Sequence, residues 1–166
     1  PLWSRGLGDV YKRQTENKYL NFFAAVSDKQ ASLISKWMSC GFIHGVMNTD
    51  NMAISGETID YGPCAFMNHY DPKTVFSSID HNGRYSYQNQ PAILNWNLAK
   101  FAETLIPLVD EDEEISIKKL SEVLQHAMPL YQEYFYKEFA EKLGLQTIDN
   151  KNIKLIKSYI KILHSD

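Results

Sequence analysis

Cysteine is scarce: among 166 residues only Cys40 and Cys64 carry a thiol. Two are too few for a disulfide framework or a Cys-only zinc centre, so a reducing compartment is the expectation. No apolar run approaches the roughly 20 residues that span a bilayer. The N-terminus lacks the continuous apolar stretch of a secretory signal. Positive charge is short as well. Lys and Arg total 17 against 20 Asp and Glu, which leaves no basic field for binding nucleic acid through its phosphates. There is no internal repeat and no low-complexity tract. What is present is the balance of a soluble globular protein, 44% hydrophobic and 22% charged, in a length suited to one domain with a core of its own.

Residues 1–14, PLWSRGLGDVYKRQ, have no helical or strand periodicity and resemble a non-native lead-in or a disordered terminus. Setting them aside removes three basic residues and one acidic residue, moving the formal charge from −3 to −5. From Thr15 to Cys40 the pattern is helical, in two pieces with a break near Ser27-Asp28. Val26, Gln30, Leu33, Ile34, Trp37 and Met38 share one face, on which only Gln30 is polar. Gly41 supplies the stop. Helical periodicity resumes at Pro91, with Leu94, Leu98, Phe101 and Leu105 on one stripe, and Pro107 marks a loop. The acidic run Asp110 to Glu114 suits the start of the next helix, where the dipole favours negative charge. Further stripes follow through Ile117, Leu120 and Leu124, through Tyr131, Phe135, Phe139 and Leu143 up to Gly144, and through Ile156, Tyr159, Ile160 and Leu163. These read as core. The expected fold class is α+β and mainly helical, with a catalytic segment over 42–90 and a helical remainder over 91–166. Long polar segments held between helices commonly carry function.

Chemistry concentrates between His44 and Asp60. Residues 52–54 and 58–60 read as two short strands joined at Ser55-Gly56. In that register Asn51 faces Asp60, which sets an amide oxygen beside a carboxylate, with Asp50 adjacent. Magnesium takes hard oxygens of this kind and completes its shell with phosphate and water. The alternative is that Asp50, Asn51 and Asp60 are turn formers bonding to their own backbone. Asp80, His81 and Arg84 form a second polar cluster, read as a structural loop or a contact for a peptide substrate. His69 and Asp71 with His44 and His81 match no compact zinc pattern, and His44 reads as a brace for the loop.

The segment resembles the catalytic core of protein-kinase-like folds, in which an HRD or HGD triplet precedes a metal-binding Asn and a DFG-type Asp. His44-Gly45 corresponds to the triplet's start, Asn51 to the Asn, and Asp60-Tyr61-Gly62 to the DFG element. Val46 stands where the usual catalytic Asp would be and accepts no proton. GFIHGVMNTDNM, TIDYGP, DHNGRYSYQNQP and WNL together resemble the selenoprotein O family, kinase-fold pseudokinases that transfer AMP from ATP to Ser, Thr or Tyr hydroxyls of proteins. That resemblance is good over roughly Tyr19 to Leu108. It implies a kinase-like C-terminal lobe whose hairpin carries the metal ligands. It also implies Asp50 as proton acceptor, Asn51 and Asp60 as ligands of magnesium (or manganese), and Asp60 as a contact of ATP. It further implies that the family's glycine-rich loop, phosphate-binding Lys and nucleotide-contacting arginines lie upstream of this chain. The isolated fragment is then expected to be inactive, and its parent cytoplasmic if bacterial or mitochondrial if eukaryotic. Two other readings remain beside it. One is a kinase-fold small-molecule phosphotransferase, against which Val46 counts. The other is a non-catalytic nucleotide-binding scaffold, against which retention of Asp50, Asn51 and Asp60 together counts.

Overall fold

A computed structural model describes residues 17–163 of the chain. Among the described residues, five helices, α1 (Lys18–Cys40), α2 (Gln90–Val109), α3 (Glu113–Gln125), α4 (Ala127–Lys142) and α5 (Asn150–Leu163), surround an irregular segment. That segment holds a two-stranded antiparallel sheet of β1 (Phe42–Ile43) and β2 (Ala65–Phe66), with Phe42 opposite Phe66 and Ile43 opposite Ala65. The protein is therefore mainly helical with a small sheet, in agreement with the α+β expectation.

Helix α1 is the central element and packs most extensively on α4, then on α2 and α3. Its apolar stripe is real: Val26, Ile34, Trp37 and Met38 are buried, alongside Phe23. Each such side chain withdrawn from water contributes about 1.5–3 kcal/mol. The helix is a single piece, contrary to the expected break at Ser27-Asp28. The buried Ser27 hydroxyl donates to the Phe23 carbonyl at 2.9 Å, which satisfies it inside the helix. The Asp28 carboxylate accepts the Tyr134 hydroxyl of α4 at 2.8 Å. Asn17 caps the first turn by accepting the amides of Tyr19 and Leu20, and Gly41 ends the helix at φ 72°.

Helix α2 starts one residue before Pro91 and runs through Pro107 to Val109 rather than stopping at the proline. A proline so near the end removes one backbone donor and leaves the preceding turns intact. Leu94, Leu98 and Leu105 are buried as the stripe requires. The acidic run does begin α3, where the Asp112 side chain caps the amides of Glu114 and Ile115. The last two helices form a separate small cluster in which Phe139 and Ala140 pack around the fully buried Ile156.

Candidate functional site

Between residues 42 and 89 the described backbone has the β1–β2 pairing, one isolated Met52–Thr58 bridge and short turns, so buried side chains do most of the holding. His44 is fully buried and stacks on Trp37 with ring centroids 5.4 Å apart. Its backbone amide donates to Gln90 Oε1 at 3.0 Å, while Gln90 Nε2 donates to the Phe42 carbonyl at 2.9 Å. The ring meets the Ile59 carbonyl through Nε2 at 2.8 Å and the Val46 amide through Nδ1 at 3.4 Å. A neutral ring protonated on Nε2 satisfies both contacts. Asn97 of α2 donates through Nδ2 to the Met47 carbonyl at 3.0 Å, and Gln30 of α1 donates through Nε2 to the Ala53 carbonyl. Trp37 Nε1 donates to Thr58 Oγ1 at 3.0 Å. The loop is thus fixed along both of its limbs by α1 and α2. His44 is the brace that the sequence suggests.

On this clamped frame sit the three candidate residues. Asp50 and Asn51 lie in a 3-10 turn, Thr49–Asn51, and Asp50 is exposed. Asn51 donates through Nδ2 to the Val46 carbonyl at 3.0 Å, which leaves its amide oxygen without a partner among the described residues. Asp60 is exposed, with φ at 53°, and its carbonyl accepts the Gly62 amide at 2.8 Å. Among the described residues neither the Asp50 nor the Asp60 carboxylate has a hydrogen-bond or ion-pair partner.

That isolation separates them from the turn-forming acids of the same chain. Asp71 accepts the Lys73 amide, Asp80 those of Arg84 and Tyr85, and Asp149 that of Asn152, each at 2.8–2.9 Å. Asx-type bonding therefore accounts for Asp71 and Asp80, and does not account for Asp50 or Asp60.

The expected hairpin is not formed as read. Its one ladder contact pairs Met52 with Thr58, so the register is one residue away from the one that sets Asn51 opposite Asp60. A turn closed by the Gly56 amide on the Ala53 carbonyl, with Gly56 at φ 74°, accounts for the slip. A β-carbon there would lie 2.7 Å from that of Lys29, so the turn presses against α1 where only glycine fits. What relates Asn51 to Asp60 is instead a shared anchor. Asn51 is tied to Val46, and Ile59, the neighbour of Asp60, is tied to His44.

The second polar cluster is built differently. Asp80 organises its own loop, His81 and Arg84 are exposed, and the Arg84 guanidinium lies 4.8 Å from the Trp96 ring. Tyr85 links this loop to the site by donating to Asn48 Oδ1 at 2.6 Å. No group of three or more His, Cys, Asp or Glu among the described residues is placed to hold a metal ion. His69 is exposed and His44 is engaged at both ring nitrogens.

The model of one protein family, described as protein adenylyltransferase SelO, matches residues 8–166. The chain belongs to the SelO family. Curated relatives named protein nucleotidyltransferase YdiU agree with this. The one from Rhizobium etli is 48% identical over 153 residues, covering 92% of this chain and 31% of the relative. Those from Anoxybacillus flavithermus and Alkaliphilus metalliredigens are each 52% identical, over 149 and 151 residues, covering 90% and 91% of this chain and 31% of each relative. The chain thus spans about a third of the length of these relatives.

Sequence reasoning missed the clamps Gln90 and Asn97, and noticed Gln30 without assigning it a task. All three are buried amides whose partners are loop carbonyls or amides. Gln30 did announce itself as the one polar residue on the α1 stripe.

Proposed function

We propose that the full-length protein is a protein adenylyltransferase with a kinase-like C-terminal lobe, contributed by this chain, that moves AMP from ATP to Ser, Thr or Tyr hydroxyls of target proteins. The observation that carries the reading is the pair of carboxylates, Asp50 and Asp60, without partners among the described residues on a loop that Gln30, His44, Gln90 and Asn97 clamp on either side. Asp71, Asp80 and Asp149 commit their carboxylates to their own backbone, whereas these two are open to a partner from outside the chain.

The donor set suits magnesium, or manganese in its place. It offers an amide oxygen from Asn51 and a carboxylate from Asp60, both hard ligands, and leaves the remaining positions to phosphate and water. Asn51 and Asp60 would hold the ion, which when bound supplies charge neutralisation at the phosphoryl oxygens. Asp60 would also contact ATP. Asp50, exposed on the turn beside Asn51, would accept the proton of the incoming hydroxyl as its oxygen attacks the α-phosphorus. The P–O bond to the leaving pyrophosphate breaks as the new P–O bond forms. Val46, at the position of the usual kinase base, takes no part in proton transfer. Its amide and carbonyl instead hold His44 and Asn51.

The test uses the full-length protein with magnesium and ATP labelled at the α- or the γ-phosphate. Protein-bound α-label that disappears in Asp60→Ala is the expected result. γ-Label on the protein would make this a kinase and overturn the reading.

A further inference from the structure

Arginine occurs once among the described residues, and every other permanently charged cation there is a lysine. That arginine, Arg84, stands beside the candidate loop. Its guanidinium lies 4.8 Å from the Trp96 ring and 5.6 Å from the Tyr85 ring, a cation held against two aromatic side chains. Among the described residues its side chain has no ion pair and no hydrogen bond. The acid on its own loop is engaged otherwise. Asp80 accepts the backbone amides of Arg84 and Tyr85 at 2.8 Å each, which fixes the main chain carrying the guanidinium without neutralising it. Lys100 makes the contrast: it lies 5.8 Å from the same Trp96 ring and is paired with Glu103 at 2.7 Å. One ring thus carries two cations, one answered inside the chain and one left open.

The open cation is tied to the limb of the loop that ends in Asp50. Tyr85, the neighbour of Arg84 in sequence, donates to Asn48 Oδ1 at 2.6 Å, and Asn97, the neighbour of Trp96, donates to the Met47 carbonyl at 3.0 Å. Trp96 and Thr49 also line one cavity. Both halves of the Arg84–Trp96 stack are therefore anchored to residues 47–49, just before Asp50. The Asp60 limb is held elsewhere, through Ile59 on His44 and Thr58 on Trp37.

We propose that Arg84 is a specificity-determining residue that takes a carboxylate of the target protein, from an Asp or Glu near the hydroxyl that receives AMP. The guanidinium offers a planar fork of N–H donors that matches a carboxylate in two parallel hydrogen bonds, and packing on Trp96 holds that fork in place beforehand. Its tether to the Asp50 limb puts it on the side of the accepting hydroxyl, because Asp50 is the base in the function proposed above, on which this assignment rests. In the same reading the nucleotide's phosphates lie toward Asp60. An acidic neighbour is thus the feature by which the site selects one hydroxyl among the many that protein surfaces expose.

Affinity selection on the full-length protein tests this. The probe is a library of short peptides with Ser, Thr or Tyr fixed at the centre and random residues around it, offered with magnesium and the α,β-methylene analogue of ATP. Retained peptides are read by mass spectrometry. Asp or Glu should be enriched over Asn or Gln by about tenfold at one fixed distance from the hydroxyl residue, as a charge-assisted pair implies. Arg84→Gln should abolish that enrichment, and Arg84→Glu should replace it with Lys or Arg at the same position. Arg84→Gln stands alone if Arg84→Glu does not fold. No acidic enrichment in the parent protein, or the same enrichment in the variants, overturns the proposal. Retention of the ATP analogue that falls tenfold or more in Arg84→Gln also overturns it, by assigning the guanidinium to a nucleotide phosphate. The selection needs no transfer. A protein that retained acidic peptides through Arg84 and moved no AMP would sink the functional reading and leave the acid contact standing, and one that moved AMP without regard to acidic neighbours would do the opposite.

Discussion

The 42–89 segment and the helical body after it are stabilised in different currencies. From Gln90 onward, apolar stripes bury Leu94, Leu98, Leu105 and Leu120, and regular helical hydrogen bonding satisfies the backbone. From Phe42 to Asn89, the buried amides of Gln30, Gln90 and Asn97 and the ring of His44 supply bonds that no strand or helix provides. Apolar packing is forgiving of shape and tolerant of shared adjustment. An amide clamp is directional, and losing one strands a buried partner. The body can lose stability without losing alignment; the segment loses both together.

The largest effect should come where alignment is decoupled from stability. In the full-length protein, Asp60→Ala or Asp50→Ala should lower AMP transfer by about 10²–10⁴-fold. Chemical unfolding should then report a change within about 0.5 kcal/mol for Asp50→Ala, as for other surface substitutions, and up to about 1 kcal/mol for Asp60→Ala, because alanine takes the left-handed backbone less readily than aspartate. A large loss of stability would show that these acids are structural after all. Leu94→Ala should show the reverse, costing about 2–5 kcal/mol in denaturant while transfer per folded molecule stays unchanged. Gln90→Leu should fall between them. It leaves the His44 amide and the Phe42 carbonyl unpaired, at about 1–3 kcal/mol. Unlike Leu94→Ala, it should also lower transfer per folded molecule, read by normalising label to the folded fraction.

The smallest effect belongs to the Asp110–Lys119 pair at the foot of α3. A hydrogen bond from Lys119 Nζ at 2.7 Å, joined by the Asp112 amide, holds the Asp110 carboxyl below its ordinary range. A lowered carboxyl value contributes stability at pH above the unfolded value of about 4 and loses it as pH falls further. Lys119→Met should therefore lower stability slightly at neutrality, with the difference from the parent fading as pH falls through the carboxyl's range, as denaturant unfolding at a series of pH values would record. The exposed setting keeps that difference small.

How much of this was readable in the chain follows the same division. The stripes named Val26, Ile34, Leu94, Leu98, Leu105 and Ile156, and glycine, proline and aspartate marked helix ends at Gly41, Pro91, Asp112 and Gly144. Helical periodicity is a local property, so local reading recovers it. In the 42–89 segment the decisive partners are distant: Gln90 acts on His44 from 46 residues away. A one-residue change of register, set by the pressure of Gly56 on α1, was enough to displace the expected pairing of Asn51 with Asp60. The Ser27 break and the Pro107 stop failed for a related reason, because each residue's local cost is absorbed by the helix that contains it. The motif residues were legible as a string, and the frame that presents them was not.

Asp60 is the one residue other than glycine with positive φ among those described. A left-handed backbone costs a residue with a β-carbon about 1–2 kcal/mol, less where the side chain is Asp or Asn. Nothing in its own surroundings repays that cost, since its carboxylate has no partner among the described residues. Heat alone would therefore not preserve this residue. A library of variants selected only for survival at high temperature should drift at position 60 toward glycine or asparagine, while the same library selected for turnover should keep aspartate. For a lineage released from the need to catalyse, the path to an inert scaffold begins at this position and runs downhill.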